Sequence, residues 1–181
     1  LEGSPELVEI LDPSPLITYG IYRLLIAFLT DALRPEVPED LEDLMRMGKF
    51  PMEQISDYVA QCEEDGPCFD LFDERKPFLQ SAYDSWFKER KSTSVAQLFH
   101  ELPSGNNAVH FDHRFQYEHA FGPSVCARAL TAANLFTTAG THGPSGVNGS
   151  PPWYVTILGR NLFETLVYNI YILSDGELEF D

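Results

Sequence analysis

Four side chains within a stretch of ten residues, His110, Asp112, His113 and His119, are of the types that could perform chemistry. Imidazole is the commonest metal ligand, and the HxxH spacing of His110 and His113 suits two ligands on a helix or turn. With Asp112 as a further donor, the cluster suggests a metal-dependent hydrolase. Against that reading, no HExxH or equivalent pattern completes a site, and the segment lacks a helical start. The carboxylates Glu39, Asp40, Glu42, Asp43, Glu63, Glu64 and Asp65 could also hold a divalent ion, but a charge run of this kind usually marks a solvated face. Cys62 and Cys68 have no second pair, which argues against zinc. No metal, no cofactor and no catalytic residue is expected on these grounds, and a binding surface is the alternative to the hydrolase.

The histidines belong to one of two irregular stretches, residues 98–113 (LFHELPSGNNAVHFDH) and 140–152 (GTHGPSGVNGSPP). In the first, Ser104, Gly105, Asn106 and Asn107 are turn formers that can hydrogen-bond to bases or to backbone. From Pro103 to Phe121 there is no convincing period, which in a compact domain implies function or disorder. The second stretch follows an expected helix and precedes an expected strand, 153–158. That order is the reverse of a phosphate loop, and GK[ST] is missing. Its glycines permit close backbone approach, which suits insertion into a narrow groove and equally suits a mere surface loop. A compact core is expected to hold the two stretches side by side, and a purely structural scaffold is a third reading.

Several elements must position them. Residues 15–33 are apolar on nearly every face, the pattern of an enclosed helix. Arg23 within it is either buried and paired or at a solvated edge. Thr18, Arg23, Thr30 and Asp31 interrupt the run, favouring a core helix over a membrane span. Residues 40–48 and 52–64 read as surface helices with Leu41, Leu44, Met45, Ile55 and Val59 inward. Residues 68–80 (CFDLFDERKPFLQ) read first as an aromatic clamp on the core and second as a ligand surface. Residues 94–102 suggest a short helix capped by Ser94 with Val95, Leu98 and Phe99 inward. A longer one over 122–139 carries Val125, Ala129, Ala133 and Phe136 as its core stripe, and 161–173 an amphipathic one. The expected fold class is α+β, a helix-dominated mixed domain with a few short strands and two long irregular loops.

The composition fits a single domain spanning residues 1–181, with 44% apolar residues. Three cysteines without framework spacing favour a reducing, cytoplasmic compartment. The 28 acidic against 12 basic residues oppose non-specific nucleic-acid binding, so any DNA contact must be local, with basic partners supplying most of the attraction.

Residues 22–27 (YRLLIA), 69–80 (FDLFDERKPFLQ), 96–111 (AQLFHELPSGNNAVHF), 122–130 (GPSVCARAL) and 159–169 (GRNLFETLVYN) together resemble the large subunit, CasA, of the type I-E CRISPR surveillance complex, Cascade. The resemblance covers nearly the whole chain. It implies the partial N-terminal domain of a non-catalytic subunit that recognises the protospacer-adjacent motif in duplex DNA. Its implied partners are the other Cascade subunits, the 5′ handle of the guide RNA, motif-containing double-stranded DNA and the Cas3 nuclease-helicase, with no membrane. The family's handle-contacting loop falls on Ser104, Gly105, Asn106, Asn107, Phe111 and His113, where Phe111 would stack on a splayed base for about 1 to 3 kcal/mol. Its minor-groove glycine loop falls on Gly140, Thr141, His142 and Gly143; Thr141 and His142 stand where glycines are common. Minor-groove readout distinguishes mainly A·T from G·C, so several motifs would be accepted. The family's first strands, its lysine finger, its glutamine wedge and its C-terminal helical bundle are not among the matched segments.

Overall fold

A computed structural model describes residues 7–64, 69–82, 94–99, 101–102, 120–136 and 154–173. The described elements are helix α1 (Pro15–Leu33), α2 (Pro38–Met47), α3 (Met52–Glu63), a 3-10 helix (Val95–Leu98), α4 (Pro123–Phe136) and α5 (Leu162–Val167). Among the described residues no strand forms, so the helical part of the expected α+β fold is observed and its short strands are not.

α1 is the centre of the packing, touching α3, α4, α5 and the partners they bring with them. By length and composition it could cross a membrane; here its apolar surface is divided between two clusters. Tyr22, Ile26 and Leu29 meet Leu44 of α2 and Leu166, Val167 and Ile170 from α5 onwards. On its first turns, Ile17 meets Ala129 and Ala132 of α4, with Leu98 and Phe99 packed against them. Ile26 and Val167 are almost wholly enclosed, and burial of each contributes roughly 2 kcal/mol.

Local chemistry sets where α1 begins and ends. Ser14 caps its start, the hydroxyl accepting from the Ile17 amide at 3.3 Å. Arg34 closes it in the left-handed region with φ 47°, its amide donating to the Thr30 carbonyl. In the α1–α4 contact, a Cβ at Gly20 would lie 2.6 Å from the Thr131 hydroxyl and 2.7 Å from Thr131 backbone. Glycine at this position is what lets the helices approach so closely. Towards the other end of α1, the Tyr58 hydroxyl of α3 donates to the Asp31 carboxylate at 2.5 Å, and burial together with that carboxylate pushes the phenol well above its ordinary range.

Arg23 is paired, though not with an acid among the described residues. Its guanidinium donates to the Tyr171 hydroxyl and lies 5.5 Å from the centre of that ring, while its Nε is enclosed without a hydrogen bond. Sequence periodicity overstated three elements. Only Val95–Leu98 coils in the 94–102 stretch, with Ala96 buried and Val95 partly exposed. The 161–173 helix stops at Val167, because the amides of Tyr171 and Leu173 leave for the Thr30 hydroxyl at 3.3 Å and the Pro35 carbonyl at 2.8 Å. Residues 154–158 run without a partner strand among the described residues. The 69–80 segment is likewise only half a clamp: Phe69 touches Phe28 and Phe78, whereas Phe72 points out at 72% exposure.

Candidate nucleic-acid interface

The residues singled out as contacts, Ser104, Gly105, Asn106, Asn107, Phe111, His113, Gly140, Thr141, His142 and Gly143, lie outside the described residues. So do His110, Asp112 and His119 of the hydrolase reading. Among the described residues no group of three or more His, Cys, Asp or Glu is arranged to hold a metal. What the structure does describe is the ground on which both stretches stand.

The first stretch is anchored at both ends by aromatic packing. Phe99, just after the 3-10 helix, and Phe121, just before α4, stack with ring centres 4.3 Å apart and planes tilted by 32°. Beside them, Leu102 donates its amide to the Phe99 carbonyl at 2.9 Å, and the Ser14 hydroxyl donates to the Glu101 carboxylate. The cap of α1 is therefore tied to the start of this stretch. Asp12 adds a second tie, its enclosed carboxylate 3.1 Å from Arg128 of α4.

The second stretch is anchored in the same manner. Phe136, at the end of α4, meets Tyr154 edge to face with centres 5.7 Å apart, and Tyr19 of α1 packs on both, at 6.0 and 5.1 Å. The Tyr154 hydroxyl donates to the Leu135 carbonyl at 3.0 Å. Burial in this aromatic nest raises the Tyr19 phenol, an effect opposed by the nearby Arg23 charge and by a hydrogen bond to Thr156.

The two anchor points thus occupy opposite ends of α4. A helix of this length spans on the order of 20 Å, though Phe99 and Phe136 both reach the cluster of Ile17, Ala129 and Ala132; the stretches expected side by side lie outside the described residues. The aromatic positions that close them carry no turn signal and no charge. The sequence marks Phe99 and Phe136 as inward-facing, but gives no sign that Phe121 and Tyr154 are their partners.

A third set of polar groups lies at the start of α5. Asn161 caps it, accepting from the Glu164 amide at 2.8 Å. Glu164, buried, receives the Arg160 side chain through two nitrogens, at 3.0 and 2.6 Å, and the Arg160 amide at 2.8 Å. The Arg160 guanidinium holds the Glu164 carboxyl below its usual range. Met45, Gly48 and Phe163 complete the hollow in front of it. The arrangement locks a turn and offers no nucleophile, general base or metal ligand set.

The described residues form a helical frame whose aromatic pairs flank two glycine-bearing stretches of the sequence. The family model for the CRISPR-associated protein Cse1 matches residues 1–179, and the chain belongs to that family. The curated CRISPR-associated protein CasA/Cse1 of Thermus thermophilus is 35% identical over 173 residues, covering 91% of this chain and 33% of the relative. A crystal structure of Thermus thermophilus CasA superposes with a TM-score of 0.69 at 29% identity, over 94% of this chain and 33% of that one. A chain of a CRISPR RNA-guided surveillance complex in a pre-nicking state shares the fold, with a TM-score of 0.69 at 21% identity, over 95% of this chain and 37% of the other. The chain spans about a third of the length of these relatives.

Proposed function

We propose that this chain is the N-terminal part of a CasA-like subunit and serves, without catalysing a reaction, in a type I-E Cascade complex. The observation that carries the reading is the family match across residues 1–179, joined to a fold shared with a chain of an RNA-guided surveillance complex. In this role the guide RNA reads the target by base pairing, and the protein reads the short adjacent motif.

The residues proposed to meet nucleic acid are Ser104, Gly105, Asn106, Asn107, Phe111 and His113 on the guide-handle side. On the duplex side they are Gly140, Thr141, His142 and Gly143, with recruitment of the Cas3 nuclease-helicase following target capture. The net charge of −16 supports local contacts, in which neighbouring basic subunits neutralise the phosphates.

Reconstitution with the remaining Cascade subunits and a guide tests the proposal. Target binding is measured with and without this protein, and with Gly140→Pro and Phe111→Ala introduced into the full-length subunit. The expected result is motif-dependent capture that needs the protein and falls about tenfold or more with either substitution, since a lost base stack alone removes about 1 to 3 kcal/mol. Unchanged capture with both substitutions would leave only scaffolding. Stoichiometric zinc or manganese in the purified protein would favour the hydrolase built on His110, Asp112, His113 and His119.

A further inference from the structure

We draw no further inference here: the strongest candidate, the loop of residues 69–80 that closes through the Phe78 amide on the Asp70 carbonyl at 2.8 Å and holds Phe72 outward at 72% exposure, carries none because nothing in the structure shows what covers that side chain.

Discussion

Phe99 and Phe121 stack with ring centres 4.3 Å apart, and that contact draws together the two ends of residues 100–120. Holding the two ends of a segment together lowers the entropy cost of ordering what lies between them. Under the function proposed above, Phe121→Ala should therefore impair guide and target engagement more than it impairs folding. The expected thermal loss is about 1 to 2 kcal/mol for a half-buried ring, read by calorimetry. Motif-dependent capture by the assembled complex should fall about tenfold, and Phe121→Tyr should retain both.

Gly20→Ala tests the α1–α4 contact. The added methyl meets Thr131 backbone at 2.7 Å, which a rotamer change cannot relieve. Overpacking of this kind costs about 1 to 3 kcal/mol, and the midpoint of thermal unfolding should fall by about 5 °C. Ala132→Gly, on the facing helix, should not restore it, because the obstruction is Thr131.

Asn169→Asp separates shape from hydrogen bonding. The Asn169 carboxamide accepts from the Ile157 amide at 3.0 Å and donates to the Ile157 carbonyl at 2.8 Å. A carboxylate still accepts but cannot donate, either there or to the Thr165 carbonyl that the amide nitrogen also reaches at 2.6 Å. A loss of about 1 to 3 kcal/mol is expected, measured by urea unfolding, with faster amide exchange at Ile157.

The Arg160–Glu164 pair predicts an acid-side dependence. Glu164 is held below its ordinary value of 4.5 by the Arg160 hydrogen bonds. A carboxylate depressed in the folded state contributes stability that is complete above its unfolded value and disappears as pH falls through the folded one. Unfolding free energy of the wild-type protein should therefore fall more steeply below pH 4.5 than that of Glu164→Gln. Above that pH the difference between the two should be constant.

The long apolar helix around Ile26 and Leu29, the acidic surface helices and the small-residue stripe of α4 were legible in the sequence because periodicity reports burial directly. The motif strings around Pro103, Gly122 and Gly159 identified the family for the same local reason. What was not legible came from tertiary hydrogen bonds. Nothing in 161–173 signals that Thr30 and Pro35 will take the amides of Tyr171 and Leu173 and end the helix early. Nor does the alternation of Tyr154 to Ile157 reveal that its neighbour is a side-chain carboxamide instead of a strand. The candidate contact residues lie outside the described residues and rest on family likeness, because turn formers such as Ser104 and Asn106 look alike whether they bind a partner or merely reverse the chain.

α4 carries an aromatic clasp at each end and is fastened along its length to α1. The two clasps are therefore mechanically linked, and loosening α4 from α1 would disturb both of them together.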